Sequence, residues 1–239
     1  MLRNTNSQAA CGLALLIFTQ VALAGSFSVS PTRLNLTQQQ PAGMLTVKNQ
    51  GEQEAVIQLQ ANTWTQHDGS DLLERTSELI VVPPLIMLQP GGSQVVRVGL
   101  RRPPPAETEL NYRLLLREVP PPPVEGFRGL QVVLNLSLPV FVLPAKNAEP
   151  ELFWELDRAD GGGLTLKLRN EGRAHVQLKK FTLRLSKGTE LPGSDLPAYL
   201  LPGQSRLWHF DIAEPAGRWA LSADTDSGMV ETRLIIEPN

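Results

Sequence analysis

Arg33 is the residue whose chemical type and setting best suit the binding of a small anionic group. It lies in the segment SVSPTRLNL, where Ser28, Ser30 and Thr32 alternate with valine and proline as they would in a strand. A guanidinium can hold a carboxylate through two parallel hydrogen bonds, more strongly when water is excluded. The sequence therefore predicts a candidate carboxylate anchor at Arg33, with an arginine on a solvated strand face as the alternative.

Signals for catalysis and for metal binding are weak. His67, His175 and His209 show none of the short, regular ligand spacing that zinc sites use. Ser93 and Ser205 occur in turn motifs, without the strand–turn–helix context that a nucleophile elbow needs. No glycine-rich phosphate-binding motif is present. The sequence predicts a protein that is not an enzyme and that uses no metal or other cofactor.

A second candidate for binding is an uncharged segment between residues 129 and 144, where every even position from Leu130 to Val142 is leucine or valine. As one strand it would extend about 43 Å, whereas ordinary strands have about five or six residues. Pro139 cannot donate a ladder hydrogen bond, which predicts a sheet edge or bulge there. Because proteins normally blunt long apolar edges, the segment is predicted to be paired by another chain. An ordinary central core strand is the alternative.

The chain that must position these residues is predicted to be all-β. Short β-type runs alternate with turn residues, and clusters such as Pro103–Pro105 and Pro120–Pro123 cannot lie inside helices or central strands. The predicted strands are Ser26–Leu36, Met44–Asn49, Ala55–Trp64, Leu79–Leu88, Gln94–Leu100, Asn111–Glu118, Leu130–Leu143, Glu151–Leu156, Leu164–Arg169, His175–Leu185, Ser205–Asp211, Arg218–Ala223 and Val230–Glu237.

Matching turn motifs recur in the same order in the two halves. An Asn-x-Gly turn occurs at Asn49 and again at Asn170, and each is followed by a Pro-Gly turn, at Pro90 and at Pro202. Short antiparallel strands with such turns suit an immunoglobulin-like sandwich. Two sandwiches of related plan are therefore predicted, over residues 25–144 and 145–239 with a short hinge from Pro144, and chance recurrence of common turns is the alternative.

The first residues predict export. Arg3 precedes the apolar run Cys11–Ala24, which ends in a small-x-small cleavage signature, as in a secretory signal peptide over residues 1–24. The run is too short to span a membrane, although an uncleaved anchor is the alternative. The chain's one cysteine lies in this segment, so the mature protein is expected to hold together without disulfides.

The charge and hydropathy of the chain argue against nucleic acid and membrane as partners. With 22 basic and 24 acidic side chains the formal net charge is −2, whereas nucleic-acid-binding domains carry a basic patch. No later apolar run approaches the ~18 residues of a membrane-spanning helix. We expect no nucleic-acid partner and no embedding in a membrane.

A series of short motifs occurs in a fixed order along the chain: Thr32-Arg33, Val82-Pro83-Pro84, Leu88-Gln89-Pro90-Gly91, Val96-Arg97-Val98, Tyr112–Pro120, Leu130–Leu134 and Pro144. In this order they resemble the periplasmic chaperones of chaperone–usher pili, which have a PapD-like architecture. The second half matches mainly through its Leu201-Pro202-Gly203 turn, and the resemblance is nearest the archaic, Csu-type branch. It implies a periplasmic protein made of two immunoglobulin-like domains arranged as a boomerang.

The resemblance implies that the chain binds pilus subunits by donor-strand complementation and delivers them to an outer-membrane usher. A pilus subunit of this kind is a sandwich that lacks its last strand, and a chaperone strand fills the apolar groove. By position, Leu130, Val132 and Leu134 fall on the inserted residues, and Leu136 and Leu138 extend the series. Two free molecules are expected to cap the same strands in a homo-oligomer.

The resemblance also assigns Arg33 to the subunit's terminal carboxylate. The family's second anchor, a lysine, is replaced by Pro139, and the alternative basic residues for this second contact are Arg97 and Arg113. Glu109 falls on the acidic member of an interdomain salt-bridge network. Leu143 stands where that network has an arginine, so the network is expected not to be intact.

Two other functions remain open from the sequence. A secreted two-domain binding module for a carbohydrate or protein ligand would bind through loops at one end of a sandwich. A periplasmic hydrolase or hydrolase inhibitor would depend on residues such as Ser93 or His209.

Overall fold

The computed structural model describes residues 27–67, 69–120, 132–159, 162–186, 188–194, 196–212 and 216–236, and every regular element in these ranges is a β-strand. The first half holds β1 (Phe27–Ser30), β2 (Leu34–Leu36), β3 (Ala42–Asn49), β4 (Ala55–His67), β5 (Ser70–Arg75), β6 (Leu79–Val82), β7 (Leu85–Leu88), β8 (Ser93–Leu100), β9 (Leu110–Val119) and β10 (Asn135–Val142).

These strands form a sandwich of two sheets. One sheet has the order β1-β3-β8-β6, and the other has the order β2-β10-β9-β4-β5, with β7 also paired to β4. The strands alternate between inward apolar and outward polar residues, which gives each sheet one buried face. Leu45, Val96, Ile57 and Leu114 meet between the sheets and are at most 1% exposed.

The second half forms a separate sandwich from β11 (Leu152–Arg158), β12 (Leu164–Asn170), β13 (Val176–Leu185), β14 (Glu190–Pro192), β15 (Ala198–Leu200), β16 (Ser205–Phe210), β17 (Gly217–Thr225) and β18 (Gly228–Ile236). One sheet has the order β11-β12-β16, and the other has the order β14-β13-β17-β18, with β15 paired to β13. Its core contains Leu166, Phe181, Trp208 and Trp219.

A buried asparagine joins the matching turns of each sandwich. Asn49 and Asn170 are each 1% exposed, and each side chain donates to two backbone carbonyls. Asn49 accepts one backbone N–H, whereas Asn170 accepts two. The glycines of the following turns, Gly91 and Gly203, both have φ of 73°, a left-handed conformation that favours glycine. The partners are Gln53, Leu88 and Gly51 for Asn49, and Ala174, Leu200, Glu151 and Gly172 for Asn170.

Several predicted strands are wrong in extent. Ser26–Leu36 is two strands, β1 and β2, which belong to different sheets, and Leu79–Leu88 is likewise divided between β6 and β7. Both breaks fall at prolines, Pro31 and Pro83, where the ladder loses a donor. Leu130–Leu143 shortens to β10, since residues 132–134 are not strand and residues 130–131 lie outside the described ranges. The strands β5, β14 and β15 were not predicted from the sequence.

No helix in the described ranges is long and apolar enough to cross a membrane. The predicted signal peptide, residues 1–24, lies outside these ranges.

Candidate functional site

Arg33 lies where the chain passes from one sheet of the first sandwich to the other. It directly precedes β2, whose Leu34 is the register partner of Val140 in β10, so Arg33 lies beside Pro139. The guanidinium Nη1 is 3.0 Å from Oδ2 of Asp226, in the turn between β17 and β18, and the arginine side chain is 39% exposed. Arg33 therefore reaches the second sandwich while part of its guanidinium faces solvent.

Arg113 approaches Pro139 from the opposite side, because it is the register partner of Pro139 in β9. Its guanidinium carbon lies 3.6 Å from the ring centroid of Trp64, and its nearest carboxylate partner among the described residues is Asp71, at 3.7 Å. Burial lowers the pKa of the Arg113 guanidinium, and the nearby Asp71 and Tyr199 partly oppose this shift. Two arginines thus flank the position of Pro139.

Arg97 is not brought to this place. It lies on β8 in the other sheet, between the buried Val96 and Val98, and its side chain is exposed. Since Tyr112 and Leu114 beside Arg113 point into the same core, Arg97 and Arg113 point away from opposite faces of the sandwich. Of the two alternative basic residues, only Arg113 is near Arg33.

One side of β10 is partly open. β10 pairs with β9 along its whole length, but β2 pairs only with Val140–Val142 on the other side. Among the described residues, Asn135–Pro139 has no strand partner on that side, and we call this stretch the open edge. Pro139 ends it, as expected for a residue that cannot donate to a neighbouring strand.

The predicted donor side chains become progressively more buried along this segment. Val132 is 48% exposed and Leu138 is 8% exposed. Leu134 and Leu136 lie between these extremes and pack partly against the core of the first sandwich. Leu138 already belongs to that core, and Leu130 lies outside the described ranges. The apolar surface that remains available is therefore concentrated at the N-terminal end of the series.

The joint between the sandwiches is aromatic. Trp64 and Phe141 from the first sandwich pack with Leu201 and Tyr199 from the second. Gln66 adds two hydrogen bonds across the joint, from its Nε2 to the carbonyl of Tyr199 and from the N–H of Leu201 to its Oε1, each 3.0 Å long. This packing fixes the second sandwich against the sheet that carries β10.

Glu109 also crosses the joint. Its side chain is fully buried, and both carboxylate oxygens lie 2.9 Å from Nδ1 of His175. Sequence reasoning gave His175 no role, because a lone histidine carries no spacing signal. The only available hint was that a buried glutamate needs a partner. With Leu143 in place of an arginine, an imidazole meets this carboxylate.

Within the described ranges, no group of three or more His, Cys, Asp or Glu is placed to hold a metal ion.

The family described as "Pili and flagellar-assembly chaperone, PapD N-terminal domain" matches residues 26–148, just over half of the chain. No curated protein sequence matches significantly.

Three solved structures share the fold across both sandwiches. The CsuC–CsuE chaperone–tip adhesion subunit pre-assembly complex, from archaic chaperone–usher Csu pili of Acinetobacter baumannii, has 21% identity and a TM-score of 0.67, with 87% of this chain and 98% of that chain covered. The Salmonella enterica SafA pilin–SafB chaperone complex has 16% identity and a TM-score of 0.63, with 88% of this chain and 96% of that chain covered. The YadV chaperone has 16% identity and a TM-score of 0.63, with 88% of this chain and 99% of that chain covered. The predicted all-β, PapD-like fold of two immunoglobulin-like domains is confirmed.

Proposed function

Because the chain belongs to the family of PapD-like pili and flagellar-assembly chaperones, we propose that it is a periplasmic chaperone that binds pilus subunits by donor-strand complementation. The chaperone lends β10 to a subunit whose own sandwich lacks a strand, and then delivers the subunit to an outer-membrane usher. The predicted signal peptide supports the location.

The open edge of β10 is the observation that carries this proposal. An extended chain adds to a sheet through backbone hydrogen bonds, while alternate side chains enter pockets and give specificity. Within the part of the chain that the structure describes, the edge at Asn135–Pro139 has no strand partner on one side, and apolar side chains precede it. Charged residues that normally blunt such an edge do not occur in β10.

The first residues of the donor series contribute most of the favourable free energy of subunit binding in this proposal. Burying one leucine or valine side chain stabilises a complex by about 1.5–3 kcal/mol relative to leaving it exposed. Val132, Leu134 and Leu136 have area left to bury, whereas Leu138 has little. Association and ordering costs reduce the sum, so we expect Leu130–Leu136 to decide affinity.

Arg33 binds the terminal carboxylate of the subunit in this proposal, and Arg113 is the second basic contact. One Nη of Arg33 contacts Asp226, which leaves other N–H donors of the fork for a ligand. No ATP or other cofactor is needed, because the matching strand of a neighbouring subunit can replace β10.

The direct test is co-expression of the chain with a pilus subunit encoded beside its gene. Replacing Leu130 and Leu134 together by Glu is expected to abolish recovery of the soluble complex, since two charges would enter an apolar groove. The matched control replaces Leu207 and Met229, exposed at 52% and 61% in the second sandwich, by Glu and is expected to leave recovery intact. Undiminished recovery with the first pair would contradict the proposal.

The same edge supports self-capping of the free chaperone by a second copy. Sedimentation velocity of the free protein over a range of concentrations is expected to show reversible association. Replacing Leu134 by Glu should abolish this association and the Leu207 and Met229 control should keep it, whereas a monomer at all concentrations would refute self-capping.

A further inference from the structure

His175 lies between two carboxylates at the joint. Its Nδ1 contacts both oxygens of Glu109 at 2.9 Å, and its Nε2 lies 3.8 Å from Oδ2 of Asp226. The imidazole is 11% exposed, and Phe141 of β10 stacks on it with ring centroids 3.4 Å apart and planes 6° apart. The ring is therefore held in place from three sides.

Asp226 links this imidazole to the proposed carboxylate anchor. The same Oδ2 lies 3.0 Å from Arg33, while Oδ1 accepts the backbone N–H of Gln177 at 2.8 Å. Asp226 is thus fixed on the second sandwich and faces two basic groups. Its position determines where the Arg33 guanidinium lies.

The charge of the His175 imidazole sets the net charge of the cluster that it forms with Glu109, Asp226 and Arg33. Glu109 and Asp226 carry two negative charges against the one positive charge of Arg33, so a neutral imidazole leaves the cluster negative and an imidazolium makes it neutral. Among the residues that the structure describes, Tyr199 of β15 is a further titratable side chain beside the ring, with 5.8 Å between ring centroids. The nearby Arg173 pairs with Glu107 instead.

We propose that His175 is a positioning residue whose charge sets the affinity of Arg33 for a carboxylate ligand. This inference rests on the proposed function, because it takes Arg33 as the anchor. A carboxylate that reaches Arg33 adds a negative charge beside Asp226, and a proton on His175 offsets it. The ligand and the proton therefore favour each other's binding reciprocally.

The sign of the pH dependence follows from this coupling. Carboxylate binding is expected to be tighter where the imidazole is protonated, because the proton offsets the added negative charge. Affinity therefore rises as the pH falls through the range in which the imidazole gains its proton. One proton limits the slope to at most about tenfold per pH unit.

The test measures the affinity of the protein for acetate, a carboxylate that does not depend on knowing the subunit. Nuclear magnetic resonance of the Arg33 side chain and the His175 ring gives the dissociation constant at pH 6 and pH 8. We expect binding at least about fivefold tighter at pH 6. His175→Gln is expected to remove the pH dependence, and His209→Gln, which changes an exposed histidine, is expected to keep it.

A second variant keeps the test valid if His175→Gln does not fold. Glu109→Gln removes one negative charge from the cluster, so acetate affinity at pH 8 should rise towards the wild-type value at pH 6. Equal wild-type affinity at both pH values, or an unchanged dependence in His175→Gln, would overturn the inference. Failure of subunit capture on co-expression would instead remove the proposed function, whatever the acetate result.

Discussion

Arg33 and Arg113, which lie on either side of Pro139, differ in how far their side chains are exposed. Arg33 is 39% exposed and has one ion pair, so it can accept a carboxylate with little rearrangement. Arg113 is 13% exposed, lies against Trp64 and is covered by Tyr199. A ligand that uses Arg113 must displace part of this cover, so we expect Arg33 to carry most of the charge recognition.

Replacing Arg33 by Ala is expected to weaken subunit binding by about ten- to a hundredfold, the cost of losing a charged hydrogen-bonded pair. The fold should be retained, since Arg33 is exposed and makes its ion pair near solvent. Binding is measured by pull-down of the co-expressed subunit, with Arg97→Ala on the remote face as the control. Equal loss in both variants would show that the effect is not specific to the anchor.

The buried asparagines give a second prediction for single residues. Asn49→Ala leaves two buried carbonyls and one N–H without their side-chain partner, and should lower the free energy of unfolding by about 2–4 kcal/mol. Asn170→Ala leaves two carbonyls and two N–H groups without their side-chain partner in the other sandwich, and should cost at least as much. The two losses should add because the sites are far apart. Urea unfolding checks this, and a loss in only one sandwich would contradict the equivalence of the two turns.

Some of these residue roles follow from local sequence and others do not. The two Asn-x-Gly turns were predictable because Asn and Gly act on neighbouring backbone groups. The meeting of Glu109 with His175 was not, since it joins two sandwiches and has no local signature. Arg33 was marked by its strand context, but its contact with Asp226 depends on how the sandwiches pack.

At the scale of elements, periodicity predicted strands but not the sheet to which each belongs. In residues 26–36 the apolar positions change phase, from Phe27 and Val29 to Leu34 and Leu36, and residues 79–88 are apolar throughout. A period-2 pattern therefore does not show to which sheet each part of these runs belongs. All six residues of β5 are exposed, which leaves no burial pattern to detect. β14 and β15, with three residues each, are too short to show one.

The two sheets of the first sandwich are also linked by a side-chain pair that should make stability depend on pH. The hydroxyl of Tyr112 in β9 donates to the carboxylate of Glu78, just before β6. This bond lowers the pKa of Glu78, with a smaller contribution from Arg102, and burial raises the pKa of Tyr112. A carboxyl pKa that is lower in the folded state stabilises the fold above the unfolded pKa and loses that effect on acidification.

Tyr112→Phe is therefore expected to lower the free energy of unfolding by about 1 kcal/mol at pH 7, and by less as the pH falls below about 4. Urea unfolding at pH 7, 5 and 3 measures the gap between variant and wild type. Tyr199→Phe, the other tyrosine, serves as the control. If the difference in the free energy of unfolding between variant and wild type stays constant on acidification, the stabilising effect of Tyr112 does not come from its hydrogen bond to Glu78.

For the whole molecule, the joint connects the separate parts of the site. Arg33, β10 and Arg113 belong to the first sandwich, while Asp226 and Tyr199 belong to the second. Trp64 and Phe141 pack the two sandwiches together, and this packing lets Asp226 orient Arg33. The geometry at Arg33, the proposed anchor, is therefore a property of both sandwiches and not of β10 alone.

Phe141→Ala tests this dependence, because Phe141 is fully buried in the joint and its aromatic ring stacks on His175. Truncating such a ring is expected to cost about 3–5 kcal/mol, mostly in contact between the sandwiches. Small-angle X-ray scattering should show a larger radius of gyration, and subunit binding should weaken although Arg33 and the donor side chains are unchanged. Phe153→Ala, at an exposed position on β11, should change neither. An unchanged radius of gyration together with weakened binding would assign the role of Phe141 to β10 itself, whereas wild-type behaviour in both measurements would show that subunit capture does not depend on a packed joint.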